Sequence, residues 1–581
     1  MTAPAFPDIR AHLAELLATA LNEVLPEHGA TAIVIERPRQ AQHGDYACSL
    51  PLQLAKAARR NPRELANALV AALPPSPHVA KAEVAGAGFV NFFVSPATKR
   101  LIVRQVLAAG SCFGTSSPRN TQKVQVEFVS ANPTGPLHVG HGRGAAYGAS
   151  LANILAAAGF RVSREYYVND AGRQMDILAL STWLRYLELA GHTVPFPANA
   201  YRGAYVRDMA REIHAQHGPR YVRDTAALLA NLPEGEEAAE ERLDLLIARA
   251  KSLLGEDYAY VHNFALTEQL GDCRNDLTEF GVVFDEWFSE RSLYDSGLVE
   301  RAVAALAQRG HLYEQDGAQW FRSTAFGDEK DRVVQRENGQ YTYFASDIAY
   351  HMNKLERGFD VMIDVWGADH HGYIPRVKGA LEALGLDASR LNIALVQFAV
   401  LYRDGQKVSM STRAGEFVTL RELRTEVGND AARFFYVLRK SDQHLDFDLD
   451  LAKSQSNENP VYYVQYAHAR ICSVLEQWGG DPAALASADL AALSEPSELA
   501  LMERVAQYPE TIDSAAREFA PHAVAFYLRD LAADLHSWYN ATRILVDDEA
   551  LKQARLALAL AVRQVLANGL ALLGVSAPEK M

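Results

Sequence analysis

Apolar and polar residues alternate from Lys123 to Phe128, and a period of two predicts a β-strand. The run 132–136 is rich in Asn, Pro and Gly, which ends regular structure. Small and apolar residues then recur at helical spacing from Gly140 to Gly159, a natural C-cap. Because a second strand pattern covers 162–168, this stretch predicts a βαβ unit of nucleotide-binding type.

The same pattern divides the chain into three parts. Residues 1–112 mix helix and strand patterns and predict a small α+β domain, whereas residues 431–581 have an almost wholly helical pattern. Residues 113–430 have an α/β pattern, interrupted by a helical, charged insertion at about 181–300. The fold class is therefore α/β, with a doubly wound nucleotide-binding core between two smaller domains.

Composition changes this picture little. The 581 residues are 49% hydrophobic and 22% charged, as in ordinary globular proteins. The four cysteines are far apart and form no C-x-x-C pair, so a zinc ribbon or a disulfide framework is not indicated. The N-terminus lacks a signal-peptide pattern, and we expect no membrane-spanning stretch and a cytoplasmic enzyme. The net charge of −14 does not exclude RNA, because phosphate binding depends on local basic patches.

Candidate chemistry lies where strands end. His138 and His141 occupy the turn before the first predicted helix, where backbone N–H groups and the helix dipole favour phosphate. The dinucleotide fingerprint G-x-G-x-x-G is absent from that turn, which argues against NAD or FAD. A helix beginning near Ser346 carries Asp347, and the buried strand 361–366 ends in a polar run.

The run from Glu127 to Arg143 resembles the first signature of class I aminoacyl-tRNA synthetases, in its bacterial arginyl form. The signature positions are Ala131, Asn132, Pro133, Thr134, Gly135, Pro136, Leu137, His138, Val139, Gly140 and His141. The resemblance implies a Rossmann-like catalytic domain over 113–430. It also implies that ATP activates L-arginine, which is then transferred to the 3′ end of tRNA(Arg).

A second signature is similar but altered. Lys407 to Gly415 resembles the mobile Lys-Met-Ser-Lys-Arg loop that holds the ATP phosphates, aligned here on Met410, Ser411 and Arg413. Ser409 and Thr412 replace the two consensus lysines. Some arginyl enzymes place a compensating lysine before the first signature, but that position is Gly135 here. Lys407 or Arg413 is therefore expected to supply the positive charge.

The resemblance also implies roles residue by residue. His138, His141, Lys407 and Arg413 are expected to act in catalysis. ATP binding is expected at Pro136, His138, Gly140, His141, Gly367, Asp369, His370, Ser409, Met410 and Ser411. Arginine binding is expected at Glu127, Ser130, Asn132, Tyr343, Asp347 and His371, because a guanidinium requires carboxylates placed for paired hydrogen bonds.

The flanking domains resemble the tRNA-binding parts of the same family. Residues 1–112 are similar to the accessory domain that contacts the tRNA elbow, and we expect Lys56, Arg59 and Arg60 to face RNA. Residues 431–581 resemble the helical anticodon-binding domain, where Tyr462, Tyr466 and Arg470 can stack on bases. The partners expected are tRNA(Arg), L-arginine and ATP, with Mg²⁺ on the phosphates, and the expected state is a monomer.

Two other functions remain open from the residues. His138, His141, Asp369, His370 and His371 offer ligands that suit zinc, as in a metal-dependent hydrolase, although we expect no protein-bound zinc. The missing lysines at 409 and 412 also fit a non-catalytic tRNA-binding relative. Metal analysis discriminates the first alternative, and an ATP–pyrophosphate exchange assay discriminates the second.

Overall fold

The first part of the chain folds around a small antiparallel sheet. The structure is a computed structural model that describes residues 8–38, 40–116, 122–408 and 417–581. Asn61 and Ser95 cap the helices that follow them, each with proline in the first helical turn, where its fixed φ suits the helix. The elements are α1 (Ile9–Val24), β1 (Tyr46–Cys48), α2 (Leu50–Leu54), α3 (Pro62–Ala71), β2 (Val79–Ala85), β3 (Phe89–Val94) and α4 (Pro96–Ala109), with strand order β1-β3-β2.

The middle part of the chain begins with the predicted βαβ unit. Its first elements are β4 (Lys123–Glu127), α5 (Val139–Ala157), β5 (Arg161–Val168) and α6 (Arg173–Leu189). The helical segment continues with α7 (Ala204–His217), α8 (Thr225–Leu229), α9 (Ala239–Leu254) and α10 (Asp257–Glu279). Next come β6 (Glu286–Ser289), α11 (Arg291–Asp295), α12 (Leu298–Gln308), β7 (Leu312–Gln315), β8 (Ala318–Phe321) and β9 (Arg332–Gln335). The last elements are α13 (Tyr343–Glu356), β10 (Val361–Gly367), α14 (Ile374–Ala383), β11 (Leu391–Val396), β12 (Ala399–Arg403), β13 (Gln406–Lys407), α15 (Leu420–Val427), α16 (Asn429–Val437), β14 (Leu445–Asp448) and α17 (Leu449–Lys453).

Five parallel strands form the central sheet, in the order β11-β10-β4-β5-β6. The chain moves outwards from β4 to β5 and β6, then crosses over to place β10 on the other side of β4. This reversal creates a topological switch point at the carboxyl ends of β4 and β10, where doubly wound sheets bind ligands. The predicted fold class is confirmed.

The βαβ unit is confirmed because its signals are local. Val124, Val126 and Phe128 are buried on the face of β4 that packs against α5. Gly148 of α5 lies against Phe128, since an added Cβ would come 2.3 Å from the phenyl ring. The helix ends at Ala157, and Gly159 follows with φ +92°, a left-handed conformation that glycine adopts readily.

The helical insertion is shorter than the sequence pattern suggests. Helix α10 ends at Glu279, and β6 already pairs with β5 in the central sheet. A four-residue strand carries too short a pattern to stand out beside long amphipathic helices. Two smaller three-stranded sheets, β7-β8-β9 and β13-β12-β14, complete this part, so β14 is a strand inside the segment expected to be helical.

The final part is a bundle of five helices. They are α18 (Pro460–Trp478), α19 (Pro496–Ala506), α20 (Tyr508–Arg517), α21 (Pro521–Ala541) and α22 (Glu549–Leu572). Contrary to expectation, α22 has the length and composition of a membrane-spanning helix. Its apolar residues form the core against α18, α21 and α4, and 61% of its most apolar window is buried, which accounts for that composition.

Candidate active site

The backbone is strained at the end of β4. Val129 has φ +69° and Ser130 has φ +40°, a region that non-glycine residues seldom adopt and that a β-branched residue avoids most. The Ser130 hydroxyl donates to Glu127 Oε1 at 3.0 Å and accepts from the Tyr167 backbone N–H at 3.1 Å. These bonds hold the chain in a sharp turn above the switch point.

His138 and His141 form one stacked pair at the N-terminus of α5. The ring centroids are 3.8 Å apart. His138 is the N-cap and its Nδ1 accepts from the Gly140 N–H at 3.1 Å, while His141 Nδ1 accepts from the His138 N–H at 3.2 Å. A ring nitrogen that accepts carries no proton, so each neutral ring must carry its proton on Nε2.

Burial keeps both rings neutral. It lowers the pKa of His138, and it lowers the pKa of His141 to about 3 with a smaller contribution from the adjacent His138. Each Nε2–H is then a fixed hydrogen-bond donor beside a helix N-terminus. The pair can donate to phosphate oxygens without changing its charge near neutral pH.

Two glycines of the signature lie so close to neighbouring side chains that an added Cβ would be crowded. A Cβ on Gly140 would lie 2.8 Å from His138 Cε1, so only glycine permits this cap geometry. A Cβ on Gly135 would lie 3.0 Å from the Tyr205 hydroxyl, which donates to the Thr134 carbonyl at 2.7 Å. Tyr205 of α7 therefore occupies the space that a side chain at position 135 would need.

The predicted carboxylate Asp347 lies on α13, facing the switch point. The Tyr373 hydroxyl donates to its Oδ2, and burial raises the pKa of the Asp347 carboxyl while His351 and Tyr373 oppose that shift. Tyr343 begins the same helix and is 53% exposed. The predicted tyrosine and acid therefore lie about one turn apart on α13, and their contact with arginine stays a prediction.

The second predicted carboxylate, Glu127, already has a partner. Its Oε2 accepts from the buried Lys354 ammonium at 2.6 Å, and Lys354 also donates to Asp364 Oδ1 at 2.7 Å. Burial raises the pKa of Glu127, and the Lys354 charge opposes it. Both Glu127 oxygens are thus engaged within the protein, and contact with substrate stays a prediction for this residue, as for Ser130 and the exposed Asn132.

Glu290 is a buried acid close to Asp347 that the sequence analysis missed. It is 1% exposed, and its Oε1 accepts from the Ser346 hydroxyl at 2.9 Å. Its Oε2 and the Tyr167 hydroxyl both lack a partner with hydrogen-bond geometry among the described residues, although Tyr167 is near enough to lower the pKa of Glu290. Burial raises its pKa to about 7, and the charges of Asp347 and Asp170 add to the shift while Ser346 opposes it. The only sequence signal that could have indicated Glu290 is the pattern of the short strand β6, which ends one residue before it.

Of the other residues predicted to bind ATP, Gly367, Asp369 and His370 lie at or just after the carboxyl end of β10. Gly367 ends β10, and a Cβ there would lie 2.5 Å from Asp369 Oδ1. Asp369, His370 and His371 follow on an exposed short 3₁₀ helix, and Lys407 is exposed at the end of β13. The predicted second-signature residues Ser409, Met410, Ser411 and Arg413 lie outside the described residues.

The zinc alternative requires several ligands to converge. Within the described ranges, no group of three or more His, Cys, Asp or Glu side chains is placed to hold a metal ion. His138 and His141 instead use Nδ1 as helix-capping acceptors. The geometry favours anion binding at this turn.

The predicted RNA-facing residues lie far from this crevice in sequence. Lys56, Arg59 and Arg60 are exposed in the turn between α2 and α3. On α18, Tyr462 and Tyr466 stack with centroids 5.9 Å apart, and the Arg470 guanidinium lies 5.4 Å from the Tyr466 centroid. Both groups have the composition of RNA-binding surfaces.

Three family models match successive parts of the chain. Residues 11–94 match the arginyl tRNA synthetase N-terminal domain, residues 102–445 match the catalytic domain of class I tRNA synthetases (R), and residues 464–581 match the DALR anticodon-binding domain. The catalytic match alone covers more than half of the chain.

Full-length relatives agree with these matches. An arginine–tRNA ligase from Azoarcus sp. (strain BH72) is 69% identical over 99% of this chain and 100% of its own length, and one from Nitrosospira multiformis is 66% identical over 100% of both. The solved arginyl-tRNA synthetase of Thermus thermophilus is 27% identical, with a TM-score of 0.72 over 99% of this chain and 100% of that one. The chain, with its stacked signature histidines at the switch point, belongs to the arginyl-tRNA synthetases of the bacterial type.

Proposed function

We propose that the crevice at the carboxyl ends of β4 and β10 activates L-arginine with ATP, using Asp347 and Glu290 for the guanidinium and His138 and His141 for the phosphates. As a family member, the chain is an arginine–tRNA ligase. The arginine carboxylate attacks the α-phosphate of ATP, which gives arginyl-adenylate and releases pyrophosphate. The terminal ribose hydroxyl of tRNA(Arg) then takes the arginyl group and releases AMP.

The observation that carries the pocket assignment is the unpaired oxygen of Glu290. A buried carboxylate oxygen without a partner is costly, and a bound cation removes that cost. A guanidinium carries five donors in a planar fork, so it can bond Asp347 on one edge and Glu290 on another. Tyr343, exposed at the start of α13, would pack on the guanidinium plane.

The phosphate side acts through positioning and charge stabilisation. Neither step requires a protein nucleophile, and the two Nε2–H donors and the α5 N-terminus would stabilise developing phosphate charge. Mg²⁺ is proposed to enter on the ATP phosphates, because the described residues supply no cluster of ligands for it. Lys407 or Arg413 is proposed to provide the cation of the second signature.

The other partners are assigned by the same proposal. The basic turn 56–60 would contact tRNA phosphates, and the strip of Tyr462, Tyr466 and Arg470 would stack on anticodon bases. We expect the enzyme to act as a monomer in the cytoplasm.

Asp347→Asn tests the pocket. Removing the charge should raise the arginine KM steeply, by about 10²-fold, because the guanidinium loses a charged partner in a desolvated site. The ATP KM and the Tm should change little. Glu356→Gln is the matched control, because this exposed acid ends the same helix and its surface pair with Arg301 contributes little. An unchanged arginine KM in Asp347→Asn would remove Asp347 from the pocket.

A further inference from the structure

Three buried carboxylates form a row across the central sheet. Asp364 of β10 is in register with Glu127 of β4, and Glu127 is in register with Glu165 of β5. Residues in register point to the same face of a sheet, and like charges placed opposite one another destabilise it. All three are less than 10% exposed, so solvent screens their repulsion poorly.

Side chains of α13 and of its C-cap Arg357 bond this row. Lys354, 0% exposed, lies between Glu127 and Asp364 at 2.6 and 2.7 Å. His351 Nε2 is 2.8 Å from Asp364 Oδ2, and Arg357 bonds both oxygens of Glu165 at 2.7 and 2.8 Å. Burial would raise the pKa of Asp364, but Lys354 and His351 outweigh it and bring that pKa down to about 2.

This arrangement is a poor way to stabilise a fold. Desolvating buried ion pairs offsets much of their attraction, and well-packed apolar residues are often as stabilising. What the row provides is a defined geometry, because each charge has its partner at hydrogen-bond distance. The geometry matters here because helix α13, which carries Lys354, also carries Asp347 of the proposed arginine pocket.

Lys354 joins the helix that carries Asp347 to the strand that carries Glu127. Asp347, His351 and Lys354 lie on one face of α13, because they are spaced four and seven residues apart. The His351 Nδ1–H donates to the Asp347 carbonyl at 2.8 Å. On the other side, Glu127 is bonded through Ser130 to the strained turn that leads into the signature.

We propose that Lys354 is a positioning residue that ties the helix carrying Asp347 to the strand carrying Glu127, and so sets the length of the arginine pocket. The proposal rests on the proposed function, since it assumes that arginine lies between these two elements. Lys354 contacts neither substrate nor nucleotide in this scheme. Loss of the Lys354 side chain should change how well the pocket matches the length of the substrate's side chain.

The test is Lys354→Met, assayed by aminoacylation with arginine and with homoarginine, which is one methylene longer. The arginine KM should rise about tenfold or more, while the ATP KM stays within about twofold. The preference for arginine over homoarginine, expressed as a ratio of kcat/KM values, should fall by about tenfold, because one methylene is discriminated only by a pocket of defined length. Lys354→Arg keeps the charge and should restore most of the preference.

Arg555→Met is the control for general damage. Arg555 pairs at 2.8 Å with Glu498, a fully buried acid in the helical bundle, so its loss also leaves a buried carboxylate unpaired. Like Lys354→Met, this variant should have a lower Tm. It should leave the ratio of the kcat/KM values for arginine and homoarginine unchanged. If Lys354→Met does not fold, the double variant Lys354→Met/Asp364→Asn replaces it in the same assay. The double variant removes one charge of each sign and still leaves Glu127 without its cation.

An unchanged preference for arginine over homoarginine in folded Lys354→Met, or in the folded Lys354→Met/Asp364→Asn variant, would overturn the proposal. Failure of all three Lys354 variants to fold would also overturn it, because Lys354 would then serve the fold alone. Failure of the proposed function is distinguishable from either result. It would appear as an unchanged arginine KM in Asp347→Asn, whatever the Lys354 variants do.

Discussion

At the residue scale, His138 has two separable tasks. Its Nδ1 caps α5 and its Nε2–H is the proposed phosphate donor. His138→Asn should keep the cap, since asparagine is a good N-cap, but lose the donor at the Nε2 position, because the shorter amide does not reach it. His138→Ala should lose both. We expect either change to lower kcat for arginine activation by about 10²-fold, the effect of losing one preorganised donor.

Stability separates these two variants. Only His138→Ala should lose about 1 kcal/mol of unfolding free energy, the usual contribution of an N-cap. ATP–pyrophosphate exchange with tRNA present measures the first effect, and calorimetry measures the second. Equal loss of stability in both variants would show that the ring stacking on His141, rather than the cap, accounts for the stability.

Glu290 should make arginine binding depend on pH. Its pKa of about 7 means that the carboxyl is protonated below neutrality and ionised above it, whereas the guanidinium stays charged throughout. The arginine KM should therefore fall about tenfold between about pH 6 and about pH 8, following the ionised fraction. Glu290→Gln should raise the KM and remove this dependence.

Ionisation of Glu290 should favour arginine binding but lower the stability of the fold. Its folded pKa lies above the unfolded value of 4.5, so without arginine the folded protein keeps a proton that the unfolded chain releases. Its contribution to stability should then fall as pH rises from about 4.5 to about 7, and Glu290→Gln should abolish that loss. Glu286→Gln, an exposed acid on β6, is the matched control. A KM profile in Glu290→Gln that keeps its slope would assign the titration to another group.

At the scale of elements, the turn between α2 and α3 is the clearest candidate for RNA contact. Neutralising Lys56, Arg59 and Arg60 together should weaken tRNA binding. The dependence of log Kd on log salt should fall by about 0.7 to 0.9 for each tRNA phosphate that the variant no longer neutralises, because fewer counterions are released. The arginine and ATP KM values should stay unchanged. Filter binding over a salt series measures the slope.

A charge-preserving triple, with lysine and arginine exchanged at these three positions, is the control. It should keep the salt slope, because the number of released counterions follows charge. An equal slope in the wild type and the neutralised triple would place the tRNA interaction elsewhere on the accessory domain.

At the scale of the molecule, charged contacts join the first and last parts of the chain. Arg10 and Arg37 each lie 2.8 Å from Glu510 of α20, and Lys99 of α4 bonds both Asp45 and Glu503. These contacts border a cleft of about 700 Å³ between the accessory domain and the helical bundle. The two parts that are proposed to bind tRNA are thus held in a defined relative position.

Glu510→Gln should loosen this junction, since it leaves two arginines without their carboxylate. We expect faster hydrogen exchange in α1 and β1 and a tRNA KM raised several-fold, with unchanged arginine and ATP KM values. Asp513→Asn, an acid that lines the same cleft, is the control. Unchanged exchange in α1 would mean that apolar packing of α4 on α19 and α22 holds the domains by itself.

The sequence by itself determined the elements whose signals are local. Alternating apolar residues, a Pro- and Gly-rich turn and a capped helix specify β4, α5 and β5 within a span of about 45 residues. His138 and His141 lie within that span, so their place at a helix N-terminus followed from the pattern. The pattern likewise placed Asp347 near the start of a helix, which is α13, whereas its role in arginine binding came from the family resemblance and stays a prediction.

Only the tertiary structure decided which charges meet. Lys354 and Glu127 are 227 residues apart, and their pairing depends on how α13 packs across β4 and β10. Glu290 lies against Ser346 of α13 because β6, after a long helical insertion, pairs with β5. Such pairings depend on strand order and register, which are set by burial summed over the whole sheet. Local periodicity records which face of an element is buried, but not which distant element covers it.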